Sequence, residues 1–154
     1  MSGFELRFWV AIAALCQTLV GAAAFAQRGP QATLPAIRLN AGIHNIQAEV
    51  AQTPVQRNAG LMFRQQMGAN AGMLFVFEQA ARQCFWMQNT LLPLSIAFLA
   101  DDGTVVSLAN MKPQTTDSHC SDRPVRFALE MNQGWFAKRG IKVGSKLQGA
   151  PFAN

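Results

Sequence analysis

The chain carries none of the common catalytic signatures. It has no G-x-S-x-G elbow, no H-E-x-x-H and no phosphate-binding glycine loop, which argues against serine-hydrolase, zincin and P-loop chemistry. Histidine is scarce, with His44 and His119 the only two in 154 residues. They are the only general-base candidates with an ordinary pKa near neutrality. Zinc-type spacing of paired C-x-x-C or H-x-x-x-H is missing around His119, Cys120, Cys84 and His44. His119 and Cys120 are adjacent, and on an extended chain neighbours point to opposite sides, so they make a poor nucleophile and base pair. No metal or cofactor is expected. There is no basic run, no base-stacking motif and no internal repeat, so nucleic acid is not an expected partner.

What is present starts with an apolar leader. Phe8 to Val20 is almost wholly apolar, and Ala24 and Ala26 stand three and one positions before a cleavage point at Gln27. Residues 1–26 thus have the layout of a secretory signal peptide. The alternative is an uncleaved anchor, because Phe8 to Ala26 is just long enough to span a bilayer. A lipid anchor at Cys16 fits less well, since bulky Leu15 precedes it. The expected product is exported, periplasmic or secreted, and meets the membrane only through the segment before cleavage. The formal net charge of +5 survives cleavage, because Glu5 and Arg7 cancel, and suits an anionic envelope surface or ligand. Cleavage leaves Cys84 and Cys120. In an oxidising compartment such a pair reads first as a disulfide and second as a catalytic thiol. A bond would close a loop of about 37 residues and stabilise by roughly 3–4 kcal/mol.

After a linker over 27–36, one domain over 37–148 and a tail over 149–154 are expected. Ile37 to Leu39 and Ile43 to Val50 read as strands around an Asn40-Ala41-Gly42 turn. Thr53-Pro54-Val55-Gln56 reads as a helix start with a capping box, with Val55, Leu61 and Met62 toward the core. Arg57 and Arg64 share a face if that helix lasts two turns. Met73 to Phe77 is a buried strand, Glu78 to Gln83 a polar turn and Cys84 to Met87 extended. Leu94 to Ala100 and Thr104 to Met111 form a hairpin about Asp101-Asp102-Gly103. That acidic pair is turn chemistry, because a calcium loop needs more oxygen ligands. Val125 to Met131 is a strand, Asn132 caps a short helix ending at Arg139-Gly140, and Ile141 to Leu147 is extended. The expected fold is mainly β (α+β): a compact antiparallel sandwich or barrel-like sheet with two short covering helices.

Several spaced blocks together carry a resemblance. They are Arg57 with Gly60-Leu61-Met62-Phe63-Arg64, Gly72-Met73-Leu74-Phe75, Phe85 to Phe98, Ala128-Leu129-Glu130, Gly134 and Ile141-Lys142-Val143-Gly144. Over about 37–148 the chain resembles domain-of-unknown-function family number 192. The resemblance implies a small, often exported, mostly β protein and names no activity. Gln56, Gln88 and Ser95 stand where that family often has Glu, Lys and Asp. If those groups pair with one another in relatives, neutral replacements preserve the shape.

The stretch Phe85-Trp86-Met87-Gln88-Asn89-Thr90 joins large apolar groups to polar ones that need partners or a ligand. Arg57, Arg64, Trp86, Asn89, Thr90 and Glu130 are the candidate ligand-binding residues, and no catalytic residue is assigned. Arginine forks suit a small anionic group. The competing reading has the arginines fastened to backbone carbonyls, Glu130 or Glu78. Two functions follow. One is a non-enzymatic binding or accessory module for a small anionic ligand, a peptide end or an envelope protein. The other is a hydrolase-like enzyme using Glu130 or His119.

Overall fold

A computed structural model describes residues 29–152. The expected signal peptide, the first two linker residues and the end of the tail lie outside them. Among the described residues nine strands run in chain order: β1 Ala36–Ala41, β2 His44–Ala51, β3 Ala71–Ala81, β4 Cys84–Phe85, β5 Leu94–Leu99, β6 Val105–Met111, β7 His119–Cys120, β8 Val125–Asn132 and β9 Leu147–Gln148. One α-helix, α1 Pro54–Ala59, follows β2, and a 3-10 turn covers Ala137–Arg139. Seven strands form one sheet in the order β6-β5-β8-β3-β2-β1-β9, and β4 pairs with β7 in a separate ribbon.

The sheet curls into a half-barrel, and one short segment ties its two edges. β9 pairs with β1 through Asn40↔Gln148 and Ala41↔Leu147. Just upstream, the Val105 amide donates to the Ser145 carbonyl at 2.8 Å and the Gly144 amide to the Val105 carbonyl at 2.9 Å. Residues 144–148 therefore satisfy backbone groups on both edge strands, which an open sheet would leave unpaired. The expected extended stretch from Ile141 is shorter than read, because Ser145 Oγ accepts from the Lys142 amide and closes a turn there. The hairpin about Asp102 forms as expected, with Asp102 accepting from both the amide and the hydroxyl of Thr104.

Mainly β architecture and the barrel-like alternative agree with the sequence. Two covering helices do not. Neither α1 nor the 3-10 turn buries a residue. The capping box is present: Thr53 Oγ1 accepts from the Gln56 amide, and Gln56 Oε1 accepts from the Thr53 amide. Yet Gly60 ends the helix after six residues with a φ of 47°. An added Cβ there would lie 3.4 Å from the Phe75 ring, so the chain turns where it meets the sheet. Val55 is consequently 74% exposed, and Leu61, beyond the turn, is the residue that enters the core. Asn132 does not cap a helix; its amide donates to the Gly68 carbonyl. Nor is the sheet wholly antiparallel. β2 and β3 pair in parallel, since the crossover carrying α1 returns the chain to the same end.

Both sheet faces are buried. Leu39, Ile46, Leu74, Ala97, Leu129, Trp135 and Leu147 belong to one core. Met73, Phe75, Ile96, Phe98, Ala128, Leu61 and Met87 belong to the other. All six residues of β5 are buried, as a strand covered on both sides requires. Loops cover the second core, one following α1 and one following β4. Among the described residues no helix is long and apolar enough to cross a membrane.

Candidate functional site

The second core is incomplete. Between the end of α1 and the segment from Gln83 to Thr90 lies a cavity of about 230 Å³. Its walls include the aromatic side chains Phe75, Phe77, Phe85 and Trp86, with Arg57, Asn58, Gln83, Thr90 and Glu130 as polar members. Alternation on β3 places Phe75 and Phe77 on one face. The Phe85 ring meets Phe75, Phe77 and Phe98 edge-on at centroid distances of 4.9, 6.3 and 5.8 Å. Trp86 stands at the mouth, 53% exposed.

Glu130 forms the polar floor. It lies on β8 between Met73 of β3 and Ile96 of β5. Its parity with Ala128 turns it into the second core. Only 4% of it is exposed. No hydrogen bond or ion pair reaches its carboxyl among the described residues. Burial pushes its pKa up from 4.5 to about 8, with no charged neighbour contributing. At neutral pH Glu130 is therefore a neutral acid that can donate one hydrogen bond. The backbone packs tightly behind it. A Cβ on Gly72 would fall 2.3 Å from Met131 Sδ and 2.4 Å from the Glu130 carbonyl, so only glycine lets β3 and β8 approach here.

The two arginines have different environments. Arg57 donates through Nη1 to the carbonyls of Gln52 and Val76, and its guanidinium lies 5.0 Å over the Phe77 ring. Its Nε and Nη2 make no hydrogen bond among the described residues. Arg64 lies beyond the short helix and does not line the cavity. It grips Glu49 with a fork at 2.9 and 2.8 Å, while Glu49 also accepts from the Leu34 amide. The carbonyl-fastening alternative thus describes Arg57 in part, and a carboxylate partner describes Arg64.

Of the other candidates, Thr90 is buried and donates to the Gln88 carbonyl at 3.3 Å. Asn89 is exposed and takes a turn conformation with φ of 57°. Its carbonyl accepts from the Phe63 amide at 2.8 Å, and Phe63 is also left-handed, with φ of 61°. Two strained residues therefore lock the two loops that enclose the cavity. Cys84 and Cys120 form a disulfide, with Cα atoms 4.0 Å apart, and Cys84 lies in the cavity wall. Such a bond suggests a non-cytoplasmic location. His119 sits on β7 opposite Phe85, outside the residues lining the cavity. Among the described residues no three of His, Cys, Asp and Glu converge as metal ligands.

Gln56, Gln88 and Ser95 do not bond one another. Gln56 serves the helix cap, Gln88 is exposed, and Ser95 Oγ donates to Asn110 and accepts from the Gly134 amide. The sequence reading missed Phe75, Phe77 and the Asn58 to Met62 turn as cavity wall. The alternation of Met73, Phe75 and Phe77 was the available signal for the first two.

A model of the uncharacterised family DUF192, described as "Uncharacterized ACR", matches residues 36–149. Solved structures similar to this chain include two bacterial proteins. One is a protein of Sinorhizobium meliloti 1021 described as a candidate transcription regulator, at 36% identity and a TM-score of 0.74, covering 78% of this chain and 98% of that one. The other is a protein of unknown function from Novosphingobium aromaticivorans DSM 12444, at 33% identity and a TM-score of 0.72, covering 75% and 86%. No curated protein matches.

Proposed function

From the premise that this chain belongs to the DUF192 family, we propose that it is an exported, non-enzymatic binding module whose ligand enters the cavity between α1 and the Gln83 to Thr90 segment. One observation carries the reading: Glu130 is a buried carboxyl without a partner that lines a cavity. Among the described residues the fully enclosed side-chain atoms without a partner are Arg64 Nε, His119 Nε2 and Arg139 Nε; the Glu130 carboxyl instead opens onto the cavity, where a ligand supplies the partner that the strands do not. The cavity is smaller than the roughly 300–1,000 Å³ of drug-sized sites, so the ligand is compact. Its aromatic wall and few polar groups follow the usual anatomy of such sites.

Binding is favoured over hydrolysis by the lining residues. Cys84 is held in the disulfide, and Thr90 is the remaining hydroxyl, already donating to a carbonyl. Glu130 holds its proton at neutral pH and so is not a base there. Export is supported by the disulfide and by the apolar leader before Gln27.

Native mass spectrometry of the protein purified gently from its own compartment tests the proposal. The expected result is a small co-purifying mass that is absent from a Met62→Trp variant of unchanged melting temperature, in which the larger ring fills the cavity. A bare wild-type chain that no member of a fragment library stabilises against heat would overturn it.

A further inference from the structure

The cavity has a charge pattern that selects among compact ligands. Arg57 is its one formally charged wall residue at neutral pH, and its Nε and Nη2 are uncommitted among the described residues. The other elements packed around Glu130 bring little charge. On β3 the only charged residue is Glu78, which is exposed, and β5 has none. On β8 itself Arg126 turns to the Phe77 carbonyl and to Asp101. The segment from Gln83 to Thr90 has none. Arg64 is paired with Glu49, and His119 lies on β7 outside the lining residues. A cationic ligand would meet Arg57 as a like charge in a site of low dielectric. An anion would meet a cation at the wall and a hydrogen-bond donor at the floor.

Resting on the reading of this cavity as a ligand site, we propose that the ligand is a compact monocarboxylate with an apolar body, which hydrogen-bonds the buried Glu130 carboxyl at the floor and faces the Arg57 guanidinium at the wall. Two carboxyl groups brought together share one proton, because both do not ionise side by side. An O–H to carboxylate hydrogen bond is among the shortest and strongest available to a protein. The apolar body lies against Phe75, Phe77 and Phe85. The space is adequate, since a dry cavity of about 150 Å³ already admits a benzene ring. A single guanidinium and a single acid also match one carboxylate better than a phosphate dianion, which carries more charge and more acceptors.

Proton sharing gives the site a signature that simple charge attraction lacks. Glu130 must enter the complex protonated. With its pKa near 8, the protonated fraction falls about tenfold between pH 7 and pH 9, and affinity falls with it. Binding at pH 9 takes up close to one proton per site.

Isothermal titration of the purified protein with benzoate, benzamide and benzylamine at pH 7 and pH 9, in buffers of different ionisation enthalpy, tests this. The expected result is preferential binding of benzoate, weakened about tenfold at pH 9 with proton uptake. In Glu130→Gln the amide N–H still donates, so benzoate binds more weakly but with the same affinity at both pH values. Benzoate binding of wild type that is independent of pH overturns the proposal. Preference for benzylamine or benzamide overturns the carboxylate class and leaves the ligand site standing. Binding of none of the three overturns the proposal, and the co-purification experiment then decides whether the cavity reading falls with it.

Discussion

Glu130 should govern how the stability of the fold depends on pH, and the sign follows from its burial. The unfolded carboxyl ionises near 4.5, whereas the folded one keeps its proton to about pH 8. Between those values the folded state binds more protons than the unfolded state. Stability is therefore full below pH 4.5, declines as pH rises to about 8 and is level above that. The interval corresponds to on the order of 5 kcal/mol, at no more than about 1.4 kcal/mol per pH unit. Water entering the cavity lowers that ceiling, but even half of it is a large share of a domain's usual 5–15 kcal/mol. Glu130→Gln keeps the shape, leaves a neutral polar group in the same place and removes the titration. Urea denaturation at pH steps from 4.5 to 9 isolates the effect, because other titrating groups cancel between wild type and variant. The two should be equally stable at pH 4.5, and the variant should gain steadily to pH 8. Parallel curves across that window would refute the assignment of Glu130 as a buried, unpartnered acid.

Removing the disulfide by Cys84→Ser with Cys120→Ser should cost roughly 3–4 kcal/mol by the chain-entropy argument. An unchanged urea midpoint with and without reductant would show that the bond contributes nothing. Gly72→Ala should lower stability by the upper end of the ~1–3 kcal/mol typical of overpacking, or more. The clash includes the Glu130 carbonyl, which side-chain rotation does not relieve; a wild-type melting temperature would contradict it. A double-mutant cycle of Glu49→Gln and Arg64→Met should give a coupling of about 1–3 kcal/mol, because the fork is well shielded, at 15% and 17% side-chain exposure. Additive losses would show that the pair is merely adjacent.

Much of the fold was legible because local chemistry and tertiary structure agree. The Thr53 capping box, the hairpin about Asp102, the Gly42 turn and the run of β5 each have one sterically favoured outcome, and each forms. The failures share a cause. Helical periodicity points Val55 toward the core, but Gly60 ends the helix before that period matters. The stretch after Ile141 has a strand-like composition, yet its role is set by two edge strands distant in sequence. The parallel pairing of β2 with β3 likewise depends on where the crossover lands, which local pattern does not encode.

The site was half legible for a related reason. Arginine attracts functional readings because its charge demands a partner, but an arginine has five donors and the backbone supplies carbonyls everywhere. Arg64 meets that demand through Glu49 at both terminal nitrogens, with its buried Nε left unpartnered among the described residues, and Arg57 meets it in part, through Gln52 and Val76. A buried carboxyl faces the opposite situation. In the middle of a sheet every backbone amide near Glu130 is already committed to a strand partner, so no donor remains to satisfy it. Its neighbours Met73 and Ile96 offer none. Glu130 thus reaches the cavity without a protein partner for its carboxyl among the described residues. That follows from the register of three strands, which puts Glu130 on the face that α1 and the Gln83 to Thr90 segment leave partly uncovered. The sequence offers Glu130 as part of a family pattern, as a candidate ligand-binding residue, as an arginine partner or as a base, and does not choose among them. The cross-strand register is what turns it toward the cavity.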